Sequence, residues 1–326
     1  MKFTKDILKI NASQEFDRIS AFIRQQTLEM KRDGAVIALS GGVDSALSGS
    51  LCVKALGKDK VFGLILPDKE SSPDSEKFAL KQSNKLGIIT EKVDITPMLE
   101  AFGTYQKRDD VARSIFPEFT RDYKLKITLP QDVLNKGSLN FFTLTIFAPD
   151  GSEKSARLNN AQAKGIIAAT CTKHRIRMMA QYYYAEKMNY FVCGTTNKSE
   201  ALQGLFVKYG DGGVDIEPIE HLFKNQVFQL AEYMGVIPEI LQRKPCPDTY
   251  SAPVSDEEWY FRMPFSQLDL LLYAWENKID ISEVCKVMEL TDEQVNRVFR
   301  DFSSKSNATR HLSQLPPTLE ETKGIV

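Results

Sequence analysis

The sequence predicts an α/β protein: a parallel twisted sheet with helices on both faces, carrying an inserted β-rich subdomain and a helical C-terminal tail. Three observations lead there. Short apolar runs alternate with helical patterns of the length that βαβ units require. A Gly/Ser-rich turn joins the first of those runs to a helix. The 326 residues, 42% hydrophobic and 26% charged, have the composition of an ordinary globular protein. At roughly 150 residues per domain the length allows two domains, but the rhythm reads as one domain over 1–326. Within it, 103–160 is an insertion of β-hairpin material and 264–326 is a helical region.

Each element follows in order. Over 12–32, Phe16, Ile19, Phe22 and Ile23 recur at three- and four-residue spacings before Gly34, the pattern of an amphipathic helix with a glycine stop. The apolar run 35–39 predicts a strand, and the helix-forming run 46–56 follows the turn Ser40-Gly41-Gly42-Val43-Asp44-Ser45. A second strand, 61–66, is stopped by Pro67, and a helix through Phe78, Ala79 and Leu86 ends at Gly87 before a third strand over 88–95. Between 103 and 160 the period changes to two. Leu125, Ile127 and Leu129 alternate with polar residues, as do the residues 142–146 ahead of Pro149-Asp150-Gly151, so two segments flanking Lys136-Gly137-Ser138 should form a small projecting β subdomain. The α/β rhythm resumes with a helix over 175–188, a strand over 190–193 and a helix over 224–234. In the tail, 281–302 superficially resembles a helix-turn-helix, but neither helix is basic, and an αα-hairpin packed on its own domain is expected.

Charge and cysteine usage narrow the function. Forty-two Lys+Arg against 43 Asp+Glu leave a net charge of -1, so no global basic field exists to hold nucleic acid. Cys52, Cys171, Cys193, Cys246 and Cys285 contain no CxxC pair, which argues against a disulfide framework or zinc site and for a reducing, cytoplasmic compartment. No apolar leader and no run of 18 apolar residues is found, so neither secretion nor membrane spanning is expected.

The chemistry lies in the turn. A glycine-rich loop at the carboxyl end of a strand, opening a helix, offers unpaired N–H groups and positive dipole to an anion. Ser40 and Ser45 add hydroxyls. The Walker lysine is missing, and Asp44 would repel phosphate unless a cation lay between, which implies Mg²⁺.

The full SGGVDSA resembles the pyrophosphate loop of the N-type ATP pyrophosphatases, of the adenine nucleotide alpha hydrolase-like fold. Within that superfamily Gly194-Thr195-Thr196-Asn197-Lys198-Ser199-Glu200 and the stretch 208–219, with Arg175-Ile176-Arg177-Met178 and Leu222-Phe223-Lys224, resemble the ammonia-dependent NAD⁺ synthases. The likeness covers about 15–102 and 165–245. It implies ATP- and Mg²⁺-dependent amidation of deamido-NAD⁺ by ammonia through an acyl adenylate, releasing AMP and pyrophosphate without a protein nucleophile. It further implies that Ala38, Leu39, Ser40, Gly41, Gly42, Val43, Asp44, Ser45, Thr195, Lys224 and Cys246 bind ATP or pyrophosphate. Asp44 and Glu200 would hold Mg²⁺, while Arg175, Lys208, Asp215 and His311 would contact deamido-NAD⁺. The loop 68–75 would close over the intermediate. A homodimer is implied, with free ammonia or a separate ammonia-supplying partner as nitrogen source, because no glutaminase domain fits in the chain.

Three departures from the family pattern stand out. The insertion has no counterpart in short members, Cys246 stands where a nucleotide-contacting hydroxyl is expected, and the C-terminal His-Lys pair is only partly matched by Thr309-Arg310-His311-Leu312. The ATP half matches and the acid half is altered, so the alternative is a related amide ligase that adenylates a different acid, for example a sugar acid. A transfer-RNA thiolase would need catalytic cysteines and a basic surface, and neither is evident.

Overall fold

The computed structural model describes residues 2–135 and 141–319. Helix α1 (Ala12–Glu29), capped by the Asn11 side chain, leads to strand β1 (Gly34–Ala38), helix α2 (Val43–Leu56), strand β2 (Val61–Ile65), helix α3 (Pro73–Leu86) and strand β3 (Ile89–Lys92). Two helices, α4 (Thr96–Phe102) and α5 (Thr104–Ile115), precede strands β4 (Lys124–Thr128), β5 (Thr143–Phe147) and β6 (Glu153–Arg157). The long helix α6 (Asn160–Met188) returns the chain to strand β7 (Tyr190–Val192), followed by helices α7 (Lys198–Gln203), α8 (Lys224–Tyr233) and α9 (Pro238–Leu241). Helices α10 (Phe265–Glu276), α11 (Ile281–Met288) and α12 (Asp292–Thr309) form the tail.

The main sheet is parallel, in the order β3-β2-β1-β7. Side chains alternate across a strand, and β1 shows the result. Ala35 and Ile37 pack with Ile19 and Ile23 of α1, Leu47 and Leu51 of α2 and Val227 of α8. Val36 points the other way, into a core with Leu64, Leu99 of α4 and Ala180 of α6. Helices therefore cover both faces, as the sequence predicts. The chain runs outward from β1 through β2 to β3 and then returns to the other side of β1 with β7. The strand order thus reverses between β1 and β7, and the crevice beyond their carboxyl ends is where an open α/β sheet binds ligands.

The insertion departs from expectation at its start. Residues 104–115 form a helix, with Tyr105, Arg108, Asp109 and Ala112 buried at helical spacing. Two of those inward positions are charged, which hid the helical period. The β part is a three-stranded antiparallel sheet, β4-β5-β6, not a single hairpin. Strand β6 (EKSAR) is an edge strand with mostly exposed residues, so it carries no apolar alternation. The turn at Pro149-Asp150-Gly151 does form: Gly151 has φ +85°, and Ala148 N donates to Ser152 O at 2.8 Å. Lys136-Gly137-Ser138 lies outside the described residues. Helix α6 starts at residue 160, earlier than expected, behind a capping box in which Asn159 and Gln162 bond reciprocally. Ile166 of α6 shares a core with Ala112 of α5 and with Leu125 and Ile146 of the small sheet.

The tail is an αα-hairpin on its own protein: Val284 of α11 and Val295, Val298 and Phe302 of α12 pack with Leu268 and Leu271 of α10 and with Phe3 and Leu8 near the N-terminus. Among the described residues no helix is long and apolar enough to cross a membrane.

Candidate active site

Strand β1 ends at Ala38 and the chain turns sharply at Gly41, whose φ is +76°. A Cβ there would lie 2.3 Å from the Ser75 carbonyl oxygen, so only glycine fits both the left-handed backbone and the close approach of the α3 start. Helix α2 begins at Val43 behind Gly42, and no side chain caps it. Its first-turn amides are left for a ligand. Ser45 lines the site cavity, and its hydroxyl is also held within the loop: it donates to Gly42 O at 3.1 Å, lies 3.1 Å from Ser40 Oγ and accepts from Ser40 N at 3.2 Å. It fixes the loop's shape.

The expected charges meet here. Lys224 Nζ lies 2.7 Å from Asp44 Oδ2 and 3.3 Å from Glu200 Oε1, with the lysine only 2% exposed. Burial disfavours its charge, but Asp44, Glu200 and Asp256 outweigh that and raise its pKa above the ordinary lysine value. Burial pushes Glu200 up to about 8, against the pull of Lys224 and with help from the Asp44 charge. Asp256 rises to about 6 for the same reason. Three carboxylates around one ammonium leave a net negative centre, which a divalent cation would balance. Among the described residues no cluster of three or more His, Cys, Asp or Glu is placed to hold a metal. The donor set nevertheless suits Mg²⁺, which takes one or two carboxylates plus substrate phosphates in preference to an all-protein cage.

Supporting groups were not assigned from the sequence. Asn197, fully buried, accepts from Glu200 N at 3.1 Å as the cap of α7 and donates Nδ2 to Asp44 Oδ1 at 3.0 Å. Its place three residues before Glu200 was a readable N-cap signal. Arg243 donates to Gly41 O at 3.3 Å and to Ser75 Oγ at 2.8 Å, and Asp248 accepts from Ser72 N at 3.0 Å and Ser75 Oγ at 2.6 Å. Together they tie the start of α3 and the loop before it over the cradle. No sequence signal marks either, since the partners are more than 160 residues apart.

A cavity of about 600 Å³ opens at this point, lined by Ala38, Leu39, Ser40, Gly42, Val43, Asp44 and Ser45 and by Thr195, Glu200, Lys224, Arg175, Lys208 and Cys246. Arg175 is exposed and donates Nε to the Lys208 carbonyl at 3.3 Å. Lys208 Nζ reaches the carbonyls of Gln314 at 2.9 Å and His311 at 3.3 Å, which ties the 311–314 segment to the cavity wall. Cys246 takes a 3.6 Å contact from Arg243, and burial raises its thiol pKa.

Three expected site residues are placed elsewhere. Gly41 shapes the loop from behind, and the His311 ring is exposed outside the lining. Asp215 instead completes the edge of the sheet, accepting from Val192 N at 2.7 Å and from the Tyr182 hydroxyl at 3.0 Å. An edge strand leaves such N–H groups unpaired, and a short carboxylate is suited to take one.

Glu217 lies behind the Gly194-Thr195-Thr196 turn, accepting from Thr196 N at 3.0 Å and Thr196 Oγ1 at 2.8 Å. A Cβ on Gly194 would lie 2.2 Å from its Oε2, so the glycine makes room for it. Burial raises the Glu217 pKa from 4.5 to about 8. Between those values the folded chain binds a proton that the unfolded chain has lost, so this group's contribution to stability declines as pH rises through the window. In Glu217→Gln the amide can still bond Thr196 both ways. The variant's melting temperature should exceed the parent's by several degrees above pH 8, on the order of a few kcal/mol at about 1.4 kcal/mol per pKa unit. The gap should close toward pH 5. A gap independent of pH in thermal melts would rule this out.

Comparison with known proteins agrees with this geometry. The family model described as NAD synthase matches residues 15–121 and 131–313. The NH(3)-dependent NAD(+) synthetase of Mesorhizobium japonicum is 42% identical over 95% of this chain and 97% of its own length, and that of Thermotoga maritima is 39% identical over 85% and 95%. Among solved structures, an NMN synthetase from Francisella tularensis superposes with a TM-score of 0.66 at 22% identity, covering 95% of this chain and 99% of that one. An NH3-dependent NAD synthetase from Campylobacter jejuni does so with 0.64 at 20% identity, covering 96% and 100%. A parallel sheet with this loop, a lysine held between two carboxylates beneath it, and likeness along nearly the whole sequence place the chain in the NAD synthase family.

Proposed function

We propose that this enzyme joins ammonia to the carboxylate of deamido-NAD⁺, at the expense of ATP cleaved to AMP and pyrophosphate. The observation that carries the reading is the Asp44–Lys224–Glu200 cluster beneath an uncapped helix start, facing a cavity of about 600 Å³. A carboxylate is inert to ammonia until one oxygen becomes a leaving group. The acid oxygen therefore attacks the ATP α-phosphorus, pyrophosphate departs into the loop 40–45, and ammonia then displaces AMP from the acyl carbon. Such chemistry needs positioning and charge neutralisation more than a protein nucleophile.

In this reading Ser40, Gly42 and the first-turn amides of α2 hold pyrophosphate, Lys224 offsets its charge, and Thr195 and Cys246 touch the nucleotide. Asp44 and Glu200 would hold Mg²⁺, which when bound neutralises phosphate charge. Arg175 and Lys208, both in the cavity wall, take the dinucleotide. The proposal extends to a cytoplasmic homodimer fed by free ammonia or an ammonia-supplying partner, in line with five free cysteines.

Incubation with ATP, Mg²⁺, ammonium and deamido-NAD⁺ should yield AMP, pyrophosphate and NAD⁺ in equal amounts by chromatography. ADP as the major nucleotide product would overturn the cleavage chemistry. Turnover of ATP with a sugar acid and not with deamido-NAD⁺ would overturn the substrate.

A further inference from the structure

A second cavity, of about 1220 Å³, adjoins the site. Its outer wall comes from the insertion, including Arg108 and Lys124, and seven residues line both it and the site cavity: the charged Arg243, Lys244 and Asp248, together with Ser71, Cys246, Thr249 and Tyr250. The partition is thus one layer of side chains. Thr249 is 2% exposed, and among the described residues its Oγ1 has no hydrogen-bond partner. The Tyr250 hydroxyl lies beside the side chains of Thr170 and Trp259, yet among the described residues neither it nor the Trp259 Nε1 makes a hydrogen bond of proper geometry. Buried polar atoms in folded proteins are nearly always bonded, and those left open commonly await a ligand or water.

Building on the proposed amidation, we propose that ammonia reaches the acyl adenylate from the insertion-lined cavity, through the partition at Cys246, Thr249 and Tyr250. The size and chemistry fit. A cavity of about 600 Å³ holding ATP and the acid has its own mouth filled by them. The nucleophile that follows needs another way in. Ammonia is small, and it can donate to a hydroxyl oxygen or accept from a hydroxyl or indole hydrogen, which the open groups of Thr249, Tyr250 and Trp259 supply. Burial around Thr249 and Tyr250 penalises the charge of ammonium and suits the neutral molecule. Ammonium loses its proton to water in the outer cavity and enters as NH₃. Its lone pair forms the C–N bond at the acyl carbon, the C–O bond to AMP breaks with its electron pair leaving on AMP, and the surplus N–H proton passes to solvent.

The test uses the whole enzyme and two readouts: exchange of labelled pyrophosphate into ATP with deamido-NAD⁺ and no ammonium, which reports adenylation alone, and the KM for ammonium in NAD⁺ formation. Thr249→Val, nearly isosteric, should leave exchange unchanged and raise the ammonium KM by about fivefold to tenfold, the size of one lost hydrogen bond. Thr249→Leu, which narrows the partition, should raise it further, and Thr249→Ser should restore it. An unchanged ammonium KM in both the Val and Leu variants, with exchange intact, removes the passage. Loss of exchange in parallel with the KM change removes it as well, since Thr249 would then serve ATP. Absence of exchange in the unsubstituted enzyme removes the amidation reading itself.

Discussion

Asp44→Asn is expected to abolish pyrophosphate release, by on the order of a hundredfold or more, while leaving the fold intact. An amide oxygen can still accept the 3.0 Å bond from Asn197, so local packing has little reason to change. What disappears is the charge. Asp44 is one of two carboxylates on Lys224 and one of two proposed oxygen ligands for the cation, and removing a preorganised electrostatic group from such a site typically costs about 10²–10³ in rate. Lys224 would be left with Glu200 and nearby Asp256 as counter-charges, and a misplaced ammonium cannot meet the leaving phosphates. Circular dichroism and a thermal melt establish folding, and pyrophosphate release measures the effect. Near-normal release from a folded variant would remove Asp44 from the phosphate and metal machinery.

The readable part of this protein was the part built from local rules. The sheet follows from apolar runs ended by Pro67 or Gly87, and the crevice between β1 and β7 from the parallel connections that such runs force. The cradle was legible because a glycine at φ +76° and an uncapped helix start leave their mark in consecutive residues. Long-range polar contacts leave none. Arg108 pairs with Glu70 and Asp109 in a buried network with Lys173 and Asp68, and that network put charge on the inward face of α5, so its helical period was lost within a segment that reads as β-hairpin material. Asp215 reads as a site carboxylate by its motif and serves the edge of β7 in the structure, because the strand's exposed N–H needed a partner more locally than any ligand could supply. Asp256 and Arg243 could be found only once the fold brought the 243–256 segment over the cradle.

Asp269→Ala should cripple the enzyme from a position outside the lining of the site cavity. Asp269 of α10 is fully buried and accepts three close bonds: Ser199 Oγ at 2.6 Å, Asn225 N at 2.7 Å and Asn225 Nδ2 at 2.7 Å. Ser199 Oγ in turn accepts from Lys224 N at 3.0 Å. One carboxylate from the tail therefore fixes the residue before Glu200 and the residue after Lys224, and with them the spacing of the ion cluster. Burial raises its pKa to about 6, opposed by the bonds from Ser199 and Asn225 and by the Lys224 charge. Removing it orphans several buried donors at about 1–3 kcal/mol each, so the melting temperature should drop. Lost stability alone would leave the turnover of the surviving folded fraction unchanged. Because positioning errors near 1 Å can cost about a hundredfold, kcat per folded molecule should fall by at least tenfold when assayed well below the variant's melt, with the KM for ATP moving less. Asp269→Asn, which keeps one acceptor but turns a donor toward Asn225, should fall between the two. A folded Asp269→Ala enzyme with parental kcat would show that α10 merely supports the fold and leaves the placement of Lys224 and Glu200 to their own helices.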